Sequence, residues 1–546
     1  MSYIDWIILI STLSAIIVYG IYKSRTTKNL DGYFLSNRSM PWYLVLLSIM
    51  GTQASAITFI SAPGQAYTDG MRFVQYYFGL PLAMIVICIF FVPVFRKLKV
   101  YTAYEFLENR FDVKTRTLTS GLFLLARGLS TGISIYAPSI ILSSLLGWNI
   151  YYTNLVMGGL LIIYTMSGGA KAVAYTQQLQ LLIIIVGMCL AGVMVVKLLP
   201  ANVGFYDALK IAGHQGKMNI ITSGVTNNHF DWKDKYNIWS GVIGGFFLAL
   251  SYFGTDQSQV GRYLTASSDK ESKMGLLING LVKVPMQFLI LLVGVLLFSF
   301  YQFHKAPVYF DATTIMTAKK TMYKDSLVLL EKKYDQAILH QDIPHLNELR
   351  VQYKTVLKKA LPGQEANDTN FIFLVFVVQN LPKGLVGLLI AVIFLAAWGS
   401  IAAALNSLAS CTVVDFHKKF INTQCSEAKD YSIAQWYTFG WGVFCIVVAM
   451  FAQNLGNSLI EAVNILGSLF YGVILGIFLV AFWMKRIKGN AVFAAAILSE
   501  VLIFIIYKLD IISFLWLNVI GALLVIVISV LLQIMIASTA KKPAVI

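Results

Sequence analysis

Hydrophobic and polar positions along this chain alternate on the scale of a lipid bilayer. Apolar runs of about 20 residues, the length that crosses a hydrocarbon core, fall at Ile4–Tyr22 and near 43–65, 73–98, 116–144, 149–168, 173–199, 237–264, 273–303, 384–417, 431–453, 456–484, 490–508 and 512–536. Polar loops, most of them short, join them. The pattern predicts an all-α polytopic membrane protein with about 13 transmembrane helices.

Two of the runs are interrupted. The second reads LLSIMGTQASAITFISAPGQAY, where Gly51, Gln53, Ser55, Thr58, Ser61, Pro63 and Gly64 break the apolar character. The seventh reads GVIGGFFLALSYFGTDQSQVGRYL, with Gly254, Thr255, Asp256, Gln257 and Gln259 where hydrocarbon is expected. Irregular backbone at membrane depth is tolerated only where it lines a cavity. Two such helices at matching places predict an inverted-repeat transporter with a midplane site, spans 2 to 6 and 7 to 11 forming the repeats. The ninth run, Gly384 to Asp415, carries Ala396, Gly399, Ser400, Ala403 and Ser407 at i, i+3, i+4, i+7 and i+11, one face of tiny side chains. Another backbone can approach that face closely, and its carbonyls and hydroxyls can face a small cation. Taken alone it reads as helix packing; context decides.

Composition narrows the class. The chain is 546 residues long, 58% apolar and only 12% charged, which no soluble globular protein of this size resembles. Its net charge of +16 sits in short loops between spans and leaves no nucleic-acid reading. The basic stretches Lys23–Arg38, Arg96–Arg116, Lys171, Arg262–Lys273, Lys418–Lys429, Lys485–Lys488 and Lys541 fall on alternate sides. They predict a cell-membrane protein with its N-terminus outside and its C-terminus cytoplasmic. The five cysteines have no metal-ligand or CxxC spacing, and the six histidines form no catalytic pattern. An enzyme is excluded on this reading, and neither an organic cofactor nor an obligate protein partner is called for.

The expected organisation is an anchor helix and linker over 1–42, a first repeat over 43–199, an extracellular loop over 200–236, a second repeat over 237–484, and two further helices with a tail over 485–546. Within the second repeat, 304–372 is a polar extracellular insertion whose runs Lys324–Gln341 and Pro344–Leu361 predict an amphipathic helical hairpin. It reads as a solvated cap, with a lid over the entrance as the sharper alternative.

Five separated stretches, NLDGYFLSNRSMPWY, VPVFRKLKVYTAYEFLENRF, IYTMSGGAKAVAYT, DQSQVGRYL and ALNSLASCTVVDF, resemble in their order the sodium/solute symporter family, closest in motifs to the sialic-acid transporters and the vitamin, monocarboxylate and iodide branch. The resemblance covers about residues 1 to 536 without the insertion. It implies a leucine-transporter-type fold with a five-plus-five inverted repeat, alternating access, and sodium-coupled symport of a small organic solute such as a sugar, sialic acid, carboxylate or vitamin. Alternatives are proton-coupled or sodium-independent transport, a channel, and a non-transporting membrane solute sensor.

By the same resemblance, sodium is held by backbone carbonyls of Gly51, Ala54 and Ala396 and by the side chains at 399 and 400. Ser400 supplies one hydroxyl, but Gly399 stands where the family usually has serine, so one ligand is missing and Gly399→Ser is expected to restore it. A second sodium site is not expected, because its positions are Ala402, Ala403 and Gln177. The solute pocket is implied at Gln53, Ser55, Thr58, Phe73, Tyr77, Lys283 and Asn464, with Tyr252 as inner gate. Phe73 and Tyr77 also fit an interfacial aromatic belt, and Lys283 also fits a snorkelling lysine. Arg127 lies deep in the fourth span. Asp256, where the family usually has an amide, is a candidate proton site or else a structural carboxylate offset by Arg262. Glu461 reads as a wet residue near the outer end of its span.

Overall fold

A computed structural model describes residues 1–24, 30–226, 228–339, 343–362, 366–421, 427–452 and 458–539. Cys425, Lys541 and parts of the Lys23–Arg38, Lys418–Lys429 and 304–372 segments lie outside them. The chain begins with α1 (Tyr3–Ser24) and the short α2 (Leu30–Leu35). The second expected span follows as two helices, α3 (Trp42–Gln53) and α4 (Ala56–Asp69). Next come α5 (Leu80–Val86), a π-helical stretch over Ile87–Phe91, and α6 (Val92–Leu98). A connecting α7 (Glu105–Arg110) leads to α8 (Val113–Leu146) and α9 (Ile150–Lys197). Beyond α10 (Phe205–His214), strands β1 (Val225–Thr226) and β2 (His229–Phe230) make a small antiparallel hairpin.

The seventh span is likewise divided, into α11 (Gly245–Gly254) and α12 (Gln257–Leu264), and α13 (Asp269–Phe303) follows. The insertion holds α14 (Ala312–Ala318), α15 (Lys324–Leu339) and α16 (Ile343–Ala360), close to the expected hairpin. An unexpected apolar helix, α17 (Ile372–Asn380), precedes α18 (Leu385–Cys411), α19 (Glu427–Phe451), α20 (Leu459–Trp483), α21 (Gly489–Lys508) and α22 (Phe514–Thr539).

The two expected spans 149–168 and 173–199 both fall within α9. Tyr164 and Thr176, 12 positions apart, hydrogen-bond at 2.7 Å, whereas a straight helix would separate them by about 18 Å. The run therefore folds back on itself between them and crosses as two legs. Ten helical segments among the described residues are long and apolar enough to cross a membrane. In the apolar 18-residue stretch of Leu385–Ile421, 89% of the residues are buried inside the protein, against 22% in that of Phe514–Ser538, so the small-residue helix α18 is the centre of the bundle.

The interruptions sit differently from the sequence expectation. The first helix breaks at Ala54 (ψ 70°) and extended Ser55, while Pro63 and Gly64 lie inside continuous α4. Those two residues serve packing. A Cβ on Gly64 would overlap the Thr369 carbonyl, and one on Gly294 of α13 would overlap the Pro63 carbonyl, so α4 is wedged between two backbones. The insertion has its own apolar core, including Leu327, Tyr334, Leu349, Tyr353 and Leu357. It is fastened to α4 rather than merely solvated: Arg350 Nη1 donates to Tyr67 Oη at 3.1 Å and its guanidinium lies over the Tyr67, Phe310 and Tyr334 rings.

Candidate functional site

A cavity of about 160 Å³ lies where the two broken helices, α8, α13, α18 and α20 meet. Gln53, Ser55 and Thr58 line it from the first break, Tyr77 and Lys283 from one side, and Asn464 and Tyr252 from others. Gln53 is held by donating to Asn279 Oδ1 of α13 at 3.0 Å. Phe73 does not line the cavity. It is fully buried behind Tyr76, stacked on that ring at 5.7 Å with Tyr236 on its other side, and Tyr76 takes the place expected for it. The cause is the 3₁₀ geometry of Gly70–Tyr77, which eclipses residues i and i+3 and puts Tyr76 one turn nearer the cavity.

Sequence reasoning also missed Ser130, Thr131 and Ser134, which line the wall with Arg127. Their signal was present, since 127, 130, 131 and 134 share one face of α8. Among the described residues, Asn464 Nδ2 and the Lys283 ammonium find no acceptor. Asn464 accepts from Tyr76 Oη at 3.1 Å, but its Nδ2 is buried without a partner among them. Lys283, 2% exposed, has its ammonium 5.6 Å from the Tyr77 ring centroid and makes no ion pair among the described residues.

Asp256 sits behind the cavity floor. It caps α12 by accepting from Ser258 N at 2.8 Å and Ser258 Oγ at 2.6 Å, receives Tyr471 Oη at 2.8 Å, and pairs with Arg127 Nε at 3.9 Å. Its counter-charge is therefore Arg127, not Arg262, whose Nε and Nη1 are buried without partners among the described residues. Tyr252 closes the floor, its hydroxyl receiving Gln259 Nε2 at 2.8 Å and Arg127 Nη2 at 3.4 Å. Glu461 is not wet. It is buried and ion-paired with Lys235, because the 228–237 segment folds over the end of α20.

Beside the cavity, the hydrogen-bond pattern of α3 ends irregularly. The N–H of Ser55 bonds Gln53 O at 2.9 Å and that of Thr58 bonds Ser55 O at 3.0 Å, so neither caps the Gly51 or Ala54 oxygen. Across from them, Ser400 Oγ donates to Ala396 O at 2.9 Å and keeps its lone pairs. Gln177 joins the helices: it accepts from Ser48 at 2.9 Å and donates to Thr52 Oγ1 at 3.2 Å and Gly399 O at 3.0 Å. A set of neutral oxygens at an unwound helix end fits a hard monovalent cation. Ala402 and Ala403 carry no side-chain oxygen. At Gly399 an added Cβ would meet Gln180 Oε1, the far end of a flexible side chain, so the ligand gain expected of Gly399→Ser requires Gln180 to turn aside.

The sodium:solute symporter family model matches residues 33–333 and 351–499. The chain belongs to that family. This symporter is 26% identical over 530 residues to the sodium/sialic acid symporter SiaT of Proteus mirabilis, covering 96% of this chain and 94% of that one. It is 26% identical to the sodium-dependent multivitamin transporter of Oryctolagus cuniculus, covering 87% and 66%, and 24% identical to the human sodium/iodide cotransporter, covering 86% and 63%. A solved structure, the substrate-bound outward-open state of a Na+-coupled sialic acid symporter, superposes with a TM-score of 0.78 at 25% identity over 98% of both chains. The fold is thus of the leucine-transporter type. The protein is a multi-pass membrane transporter, not an enzyme, and couples sodium to symport of a small organic solute.

Proposed function

We propose that the solute is a small organic anion whose carboxylate is received by Lys283 and Asn464 in the central cavity. The observation that carries this reading is Lys283, a buried ammonium on the lining with no anionic partner among the described residues. An unpaired buried cation costs several kcal/mol, so a site that holds one favours an anionic occupant. Arg127 does not compete, because Asp256 neutralises it. Two cations and one carboxylate leave the surroundings net positive. The relatives named for sialic acid and iodide carry anions.

Sodium takes the carbonyls of Gly51, Ala54 and Ala396 with the Ser400 hydroxyl, next to Ser55 and Thr58 on the same break. Ion and solute then share one hinge, which is how binding of one stabilises the conformation the other needs. The distribution of basic loops supports an N-terminus outside.

Counterflow into proteoliposomes tests the solute class, with N-acetylneuraminate, a short monocarboxylate and a carboxylate vitamin set against neutral glucose. At least one carboxylate should exchange, glucose should not, and Lys283→Met should abolish that exchange. Normal transport by the Lys283→Met variant, or exchange of glucose alone, would overturn the anionic reading.

A further inference from the structure

The second leg of α9 and helix α13 leave an apolar groove of about 480 Å³ between them, which shares no lining residue with the solute cavity. Ile184, Met188, Gly192 and Val196, each four positions from the next, line it from one row of α9, and Met286, Ile290 and Val293 line it from α13. Its deep end is Phe59 of α4, a residue only 1% exposed. Its rim holds Ile185, Val193 and Leu289, all exposed on the surface of the protein. On a membrane-spanning segment that surface faces lipid. Among the described residues that line the groove, Lys197 alone is charged. It is exposed at the end of α9 and makes no ion pair among the described residues.

Size and placement select the occupant. Apolar cavities of about 150 Å³ stay dry and take a molecule as large as benzene, so a groove of about 480 Å³ has room for a long alkyl chain. A further transmembrane helix, about 10 Å across, would need well over twice that volume along the same length. The 13 positions from Ile184 to Lys197 span about 20 Å at the helical rise. One leaflet has the same depth, being half of a bilayer about 40–45 Å thick with its headgroups. A groove one leaflet deep with a free ammonium at its mouth matches a molecule that carries an anionic head on an apolar tail, and the bilayer itself supplies one.

We propose that this groove is a phospholipid site, with one acyl chain lying between α9 and α13 down to Phe59 and the headgroup phosphate on Lys197. The end of the chain then packs against Phe59, whose neighbour Thr58 lines the solute cavity, so lipid and solute meet adjacent residues of the same half-helix. The site is independent of the solute's identity and of the coupling ion.

The test is photolabelling of the full-length protein in proteoliposomes that contain a phosphatidylglycerol with a diazirine near the end of one acyl chain, mapped by mass spectrometry of the peptides. Labels should concentrate on Phe59 and on the groove residues of α9 and α13, several-fold above equally lipid-exposed residues of α22 such as Leu531 and Ile534, which are 55% and 60% exposed. A Cβ at Gly192 would meet only Val293 Cγ2, at 3.5 Å, so Gly192→Trp can place its ring in the groove. That variant should lose the label on Phe59 and keep the label on α22. Lys197→Glu should lower labelling in the groove several-fold, because a charge reversal at headgroup depth repels the phosphate.

Equal labelling of the groove and of α22, or a label on Phe59 that persists in Gly192→Trp, would overturn the site. If Gly192→Trp fails to fold, Lys197→Glu decides. Groove labelling in that variant equal to wild type would overturn the phospholipid assignment, as would labelling of the groove by a photoreactive fatty acid but not by the phospholipid.

Discussion

The two broken helices face each other across one cavity, yet they leave their backbones in opposite states. At the second break, Asp256 caps α12, receives Tyr471 and pairs with Arg127, so side chains hold the start of the second half-helix. At the first break neither Ala54 nor Ser55 offers a side-chain cap, and the N–H groups turn away from the Gly51 and Ala54 carbonyls. An unsatisfied acceptor at membrane depth costs free energy until something pairs with it. The difference supports the proposed placement of the ion at the first break, with the second break held by its own side chains.

Removing the satisfaction at the second break should give the largest effect. Asp256→Ala leaves Arg127 buried and unpaired and strips the cap from α12, so a loss of about 3–5 kcal/mol is expected in denaturant unfolding of the purified protein. Unchanged stability would mean that this break does not depend on its carboxylate. At the first break, Gly51→Ala drives a Cβ into Gln177 and disturbs its bond to Gly399. Overpacking of this kind costs about 1–3 kcal/mol, and it should be accompanied by a weaker sodium response in the same unfolding assay.

Ser55→Ala and Thr58→Ala should leave stability near wild type and weaken solute affinity several-fold, as loss of about 0.5–1.5 kcal/mol implies; equilibrium binding of the transported carboxylate checks this. The smallest effect lies away from both breaks, at Glu108. Burial alone would raise this carboxyl, but bonds from Lys419 at 2.7 Å and from Arg116 hold it below its ordinary value. A lowered folded value means the stabilisation is full above about pH 4.3 and fades as pH falls through the folded value. It should be under about 1 kcal/mol and absent from Glu108→Gln. Comparing the pH dependence of unfolding midpoints in the two proteins measures it.

Much of this architecture was legible in the sequence because membrane solvent imposes a long, simple period. The apolar runs located the helices, and clustered glycine and polar residues inside two of them located the breaks to within about a turn. The chain unwinds at Ala54 and Ser55, inside the marked stretch and beside the carbonyls expected to face the ion, whereas Pro63 and Gly64 of the same stretch serve the close approach of Thr369 and Gly294. Pairings across the bundle were not legible. Arg262 is six residues from Asp256 in sequence, whereas its actual partner Arg127 is 129 residues away, and nothing in a linear pattern distinguishes them. Glu461 looked wet for the same reason, its cover being a loop more than two hundred residues upstream.

Ion-driven uptake in proteoliposomes tests the contrast between the breaks most directly. With the transported carboxylate as label, wild type and Asp256→Asn should both accumulate it under an inward sodium gradient, and neither should respond to a proton gradient alone. Uptake that ignores sodium, follows the proton gradient and loses that dependence in Asp256→Asn would place the coupling ion at the second break and contradict its placement at the first.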